Sequence, residues 1–205
     1  MDARPQKKKG LTRDRVLDAA LTLFSSKGYG GATTREIAQA AGIAEVTLFR
    51  HFPSKELLLE EIFTHHSFLP TLKDLLPEIA ELPYEDALQV IAERFLNTLV
   101  ERKDWIRLLQ MEVQCSSGRV HTLFHSFIDE LFEAFTTFFR TAQQRGYLAE
   151  VDPELAARAF HGIFFCYFHF EEVLQRGKYK PTDRELAVRE FVRIFARGTM
   201  PTPTV

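Results

Sequence analysis

Residues 33–52 read TTREIAQAAGIAEVTLFRHF, and their types and spacing suit one chemistry above others, the gripping of a polyanion. Thr34 and Arg35 place a hydroxyl and a guanidinium at the start of one helical pattern, where exposed amides and a positive helix end suit a phosphate oxygen. Arg50 and His51 close a second pattern that begins near Ala44. Thr33 stands three residues before Glu36, the spacing of a capping box, in which each side chain satisfies the other residue's backbone amide. Gly42 is free to take the left-handed conformation that ends a helix. Ala38 is small where the inner face of the first helix meets the second, and Ile43 and Leu48 close the apolar seam. Two short helices joined in this way form a helix-turn-helix, whose second helix enters a DNA major groove with its first turns against base edges. The competing reading is a packed helical hairpin that touches no DNA.

Charge favours the first reading. The net charge of the 205 residues is −2, yet residues 1–55 hold ten Lys/Arg and five Asp/Glu, while the remainder carries −7. A small basic unit joined to a larger acidic body suits polyanion binding. A solvated basic tail at Lys7, Lys8 and Lys9 would give the same sums.

Other chemistries find less support. His121 and His125 are four residues apart on one helix face, a spacing that can hold a metal, but no carboxylate or Cys at fixed spacing completes the set. His65-His66 and His161/His169 are equally incomplete, so no metal site and no cofactor are expected. Cys115 and Cys166 cannot build a disulfide framework, and neither has a basic neighbour to stabilise a thiolate. No nucleophile–base arrangement or phosphate loop points to an enzyme. The longest uncharged stretch, Ala159 to Phe170, is 12 residues, against roughly 18 or more for a membrane span. With no leader pattern and few cysteines, the expected setting is the cytoplasm, away from membranes.

The elements that must position the 33–52 segment read as helices throughout, with no convincing period-two run. The pattern predicts helices over residues 12–27, 33–41, 44–51, 54–68, 84–102, 104–113, 120–145, 153–175 and 182–198, about nine in all. Gly28, Gly42 and Gly146 mark ends, and Asp152-Pro153 and Thr182 with Glu185 mark starts. Pro70, Pro77 and Pro83 predict a broken or irregular connection over 69–83, and Cys115–Gly118 a loop. The expected fold class is all-α, with residues 1–54 as the helix-turn-helix domain and 55–205 as a helical ligand-binding and dimerisation domain.

Residues 11–62, with KGYGGATTREIAQAAGIAEVTLFRHFPSKELLLEEI, resemble the N-terminal DNA-binding domain of the TetR family of one-component transcriptional regulators. GYLAEVDPELAARAFHGIFF resembles that family's passage into a dimerising helix. The resemblance implies a homodimer, usually a repressor, that leaves a pseudo-palindromic DNA operator when a small molecule occupies the C-terminal domain. It implies phosphate contacts from Thr34 and Arg35, base contacts from Glu45, Val46 and Thr47, and backbone contacts from His51 and Lys55. Arg50 joins them on charge and position. Phe49 departs from the family's usual Tyr, so it either packs against sugar or fills the seam. Glu45 either accepts from cytosine N4 or simply suits the positive helix start.

The acidic body is rich in Phe, 19 against one Trp and five Tyr. The helix from Pro153 is apolar all round and must be buried on more than one side. A second copy is the natural cover, with Phe135, Phe138, Phe160, Gly162, Phe164, Tyr167 and Phe168 as candidate dimer-interface residues. The competing reading is that these side chains are intrachain core. A pocket for an apolar or aromatic effector would lie among the helices from Tyr84, Asp104 and Val120, under the helix from Ser54. Phe63, Phe95, Leu99, Trp105, Met111, Phe124 and Phe127 are its candidate lining. An activator, or a regulator answering to a protein partner without an effector, is the alternative function.

Overall fold

The computed structural model describes residues 4–67, 69–115, 119–175 and 178–201. Among these there are helices and no strands. In chain order they are α1 (Arg4–Gly31), α2 (Thr34–Ala40), α3 (Glu45–His51), α4 (Lys55–His65), α5 (Leu69–Glu78), α6 (Tyr84–Glu101), α7 (Lys103–Cys115), α8 (Arg119–Gln144), α9 (Pro153–Phe168) and α10 (Arg184–Thr199), with a π-helical turn over His169–Val173. The all-α architecture of about nine helices is as the sequence suggests, with one addition. Residues 69–83 hold α5 instead of an irregular connection. The three prolines permit it. Pro70 sits in the first turn, where a missing N–H is not needed, Pro77 falls in the last turn, and Pro83 is the N-cap of α6.

Several ends follow the expected signals. Asp152 accepts from Glu154 and Leu155 amides, with Pro153 in the first turn of α9. Gly28, Gly42 and Gly146 all have positive φ. Gly28 breaks α1 in two, and the chain then continues helically to Gly31. One cap is shifted. Asp183, and not Thr182, caps α10 by accepting from the Leu186 amide, while Thr182 turns its hydroxyl toward Glu171. α9 also stops at Phe168, short of the expected residue 175, and widens into the π turn. Most of the expected loop, residues 116–118, lies outside the described residues.

The chain divides into two compact units, Met1–Ser67 with Asp104–His125, and Phe68–Lys103 with Ser126–Val205. The first has a core of Val16, Leu17, Ala20 and Phe24 from α1, Ile37 and Ala38 from α2, Leu48 from α3, and Leu58, Leu59 and Ile62 from α4. Trp105 of α7 is buried there edge-on to Phe63.

The second unit is built on phenylalanine. Phe160 of α9 meets Phe135 and Phe139 of α8, Phe164 of its own helix and Phe195 of α10, with ring centroids 4.9–6.0 Å apart. Phe95 of α6 joins edge-on to Phe135 at 5.7 Å. Phe suits such a core because it fills volume and brings no hydroxyl that would need a partner. Tyr84 is the exception. Its buried hydroxyl bonds the Thr199 hydroxyl at 3.1 Å, and burial pushes its pKa up to about 12.

One polar ring enters this cluster. His161 lies within 5.1–5.3 Å of the Phe95, Phe132 and Phe165 rings, and burial pushes its pKa down to about 4. The neutral form is therefore the native one. The unfolded imidazole titrates near 6.5, so the folded state binds fewer protons as pH falls between those values. The stability present above pH 6.5 is lost on acidification toward pH 4, by up to about 3 kcal/mol. Urea unfolding across that range should show this loss in the wild type and a flatter profile in His161→Phe. Parallel profiles would place the acid sensitivity elsewhere.

Candidate functional site

α2 begins with the capping box that its sequence encodes. The Thr33 hydroxyl accepts from the Glu36 amide at 3.2 Å, and Glu36 accepts in return from the Thr33 amide at 2.9 Å and its hydroxyl at 2.8 Å. Lys27 donates to the same carboxylate at 2.7 Å. The Lys27 ammonium foremost, and then Thr33, hold the Glu36 pKa down to about 2. α2 ends at Ala41, where Gly42 turns the chain at φ 66° and the Ile43 amide returns to the Ala38 carbonyl at 3.0 Å. Arg15 of α1 donates to the Ala41 carbonyl. A Cβ on Gly42 would lie 2.8 Å from that guanidinium. The turn is thus held from outside by a residue the sequence reading did not single out. Its only signal was a basic residue in the preceding helix.

α3 has no side-chain cap of its own, since Ala44 occupies that position. Instead Thr34, the first residue of α2, donates to the Glu45 carboxylate at 2.6 Å. The two helix starts are tied together, and two expected DNA-contacting side chains are mutually engaged. Leu48 faces inward and is fully buried. Outward, Val46 is 77% exposed and Phe49 42%. Arg50 is exposed beside them, while Thr47 and His51 are half-buried.

The basic residues divide into two groups. Arg13 pairs with Glu61 and lies 5.3 Å from the Phe52 ring, Lys27 pairs with Glu36, and Arg15 holds the turn. Lys55 donates to the Tyr29 carbonyl, with its ammonium 4.3 Å from the Tyr29 ring and 5.6 Å from that of Phe24. These four brace the first unit. Arg35 and Arg50 are exposed and, among the described residues, pair with no carboxylate.

The candidate effector-lining residues fall in both units. Phe63 and Trp105 are buried in the first, where exposed Met111 approaches Gly28 and Phe124 is half-buried beside His125. Phe95 and Leu99 are buried and Phe127 half-buried in the second. Besides an open, polar groove of about 500 Å³ between α6 and α10, two cavities lie within the second unit. One, of about 270 Å³, is walled by α5, α6 and α8, through Leu76, Ile79, Leu82, Tyr84, Phe138 and Tyr147 among others. The other, of about 190 Å³, lies between α5 and α6, and Phe95 alone of the seven candidates lines it. Neither is lined by α4 or α7.

Of the residues expected to face a second copy, Phe135, Phe160, Phe164 and Phe168 are completely enclosed within the single chain. Phe138 and Tyr167 are half-buried, and Gly162 is exposed. The outer face of α8 is polar from His121 to Gln144. Exposed apolar surface lies instead on α9 at Leu155, Ala159, Gly162 and Cys166, and on α10 at Leu186 and Ile194. His121 and His125 approach to 3.1 Å, and among the described residues no third metal-ligating side chain joins any such pair.

Residues 16–62 match the family model for bacterial regulatory proteins of the tetR family, and residues 86–198 match that for the C-terminal domain of AefR-like transcriptional repressors. The uncharacterized HTH-type transcriptional regulator YvkB of Bacillus subtilis is 30% identical over 164 residues, 77% of this chain and 81% of that one. The negative regulator of the biofilm operon icaADBC in Staphylococcus aureus, IcaR, is 43% identical over 49 residues, 24% of this chain and 26% of that one. Among solved structures, the regulator PfmR of Thermus thermophilus superposes with a TM-score of 0.68 at 24% identity, covering 89% of this chain and 97% of that one. NalD of Pseudomonas aeruginosa, the secondary repressor of the MexAB-OprM multidrug efflux pump, gives 0.70 at 20% identity, with 95% and 98% covered.

The Gly42 turn yields a direct test. Gly42→Ala forces a Cβ onto a left-handed residue and against Arg15, and should destabilise the chain by about 1–2 kcal/mol in chemical denaturation. In an Arg15→Ala background the same change should cost less, because only the backbone strain remains.

Proposed function

The chain belongs to the TetR family of bacterial regulatory proteins, DNA-binding transcriptional regulators, and we propose that it acts as a repressor. On this reading it binds a pseudo-palindromic operator as a homodimer and is released by a small apolar or aromatic effector. The observation that carries the reading is the outer face of α3, where Val46, Phe49 and Arg50 stand exposed on a helix seated by buried Leu48 and following a turn held by Arg15. Thr47 and His51 flank that face. Arg35 and Arg50 meet phosphates on this reading, while the Thr34 hydroxyl stays with Glu45. Residues 1–54 form the DNA-binding domain and 55–205 the regulatory domain in this proposal. The name of IcaR supports repression as the sign of the response.

The effector site on this reading is the cavity of about 270 Å³, whose walls are mostly apolar. Its volume is at the lower edge of the roughly 300–1,000 Å³ usual for ligand pockets. That modest size favours, as a second reading, control by a protein partner without an effector. A cytoplasmic setting follows from the function proposed, since an operator is reached there.

Binding to a duplex of the chain's own promoter region in rising salt tests the core of the proposal. The logarithm of the association constant should fall steeply with that of salt. Arg35→Ala and Arg50→Ala should each reduce the slope by about one. Lys55→Ala should act mainly on thermal stability, because its ammonium is engaged with Tyr29 and Phe24. A flat wild-type slope would remove phosphate docking from the account.

The exposed apolar residues of α9 and α10 support a dimer formed through that pair. Ile194 is 63% exposed and Leu155 62%. Ile194→Glu should shift sedimentation from dimer to monomer and weaken operator binding, whereas Glu133→Lys, on the polar face of α8, should leave the dimer intact.

A further inference from the structure

We propose that Val46 and Phe49 read the 5-methyl groups of thymine in the operator, so that this chain's base recognition is carried in large part by apolar contact. The inference rests on the DNA-binding reading above and specifies what its recognition face detects.

Val46 and Phe49 are three residues apart on α3 and so share one helix face. They are the two large apolar side chains of the helix-turn-helix that stand exposed. Arg50, on the same face, is a cation without a carboxylate partner among the described residues. An apolar pair beside a free guanidinium is complementary to the groove of a polyanion, where the cation takes a phosphate and the pair meets the base edges. A valine neither donates nor accepts a hydrogen bond, and neither does a phenylalanine. Neither can therefore distinguish the donor and acceptor patterns of the major groove. The one apolar group on a base edge there is the thymine methyl. Of the two polar residues that the resemblance assigns to base edges, Glu45 is held by the Thr34 hydroxyl at 2.6 Å and Thr47 is half-buried, whereas Val46 and Phe49 stand exposed. Phe49 lacks the hydroxyl that would have directed this ring to a phosphate, which leaves its exposed edge to apolar contact.

The test alters only the DNA. The full chain is used to select binding sites from random-sequence duplexes. Each thymine of the selected site is then replaced singly by deoxyuridine, which removes the methyl and keeps every hydrogen-bonding group. At one or two thymines per half-site the wild type should bind about fourfold more weakly per methyl removed, the value expected from burial of one such group. Val46→Ala or Phe49→Ala should abolish the difference between thymine and deoxyuridine at the position each one contacts. Val46 is 77% exposed, so its substitution should leave the fold unchanged. Selected sites whose affinity is indifferent to every deoxyuridine would overturn the inference while leaving the regulator reading intact. So would a methyl effect that persists unchanged in both variants. Failure to enrich any sequence at low salt would instead overturn the regulator reading itself.

Discussion

Two helices of seven residues cannot sustain themselves, because a nucleus of fixed dihedrals is costly and so short a helix gains few hydrogen bonds. Everything that α2 and α3 present to the outside depends on contacts made behind them. Ile37, Ala38 and Leu48 supply the apolar seam, the Thr33–Glu36 box fixes one end of α2, and Arg15 fixes the other through the Ala41 carbonyl. α3 lacks a cap of its own and takes its stability from Thr34 and the seam. The consequence is a division of labour. Most of the strong polar interactions in this unit tie its own elements to one another, and the surface left over is partly apolar and carries two arginines that, among the described residues, pair with no carboxylate.

The second unit solves a different problem. Its helices are long enough to persist, and what must be specified is how they pack. The Phe cluster around Phe160 does so with offset and edge-on rings, each of which adds a little beyond its area. Such a core accepts few polar groups. His161 is tolerated only as a neutral ring, and Tyr84 only with Thr199 at its hydroxyl. The cavity beside α5 borders on this cluster through Phe138, which stacks on Tyr84 and whose ring lies 5.2 Å from that of Phe139.

Local chemistry was legible in the sequence, and allocation was not. The Thr33 box, the Asp152-Pro153 start and the glycines at 28, 42 and 146 are decided by neighbours in the chain, and the structure has them where the spacing put them. Thr182 and Asp183 are both competent caps one residue apart, so local rules could not rank them. The prolines of 69–83 signalled a break, because each is a helix breaker in isolation. Their actual positions, at two helix starts and one end, depend on register. The same limit applies to charge. Ten basic residues in the first 55 were plain, but which of them brace the fold depends on Glu61, Ala41 and Tyr29, partners brought near only by folding. A helix that is apolar all round, such as α9, shows that two sides are covered without showing which side faces its own chain.

If affinity is divided in this way, the energetics of release become modest. A hundredfold loss of operator affinity requires a coupling of only about 2.7 kcal/mol. Apolar contact with a methyl is worth about 0.8 kcal/mol and falls off steeply with separation. On the dimer proposed above, two symmetric half-sites with one or two such contacts each would hold about as much specific energy as the coupling must remove. A shift of a reading head too small to break a phosphate contact, which tolerates distance, would already lose the methyl contacts, which do not. A recognition face built on close apolar fit is in this sense easier to switch than one built on charge.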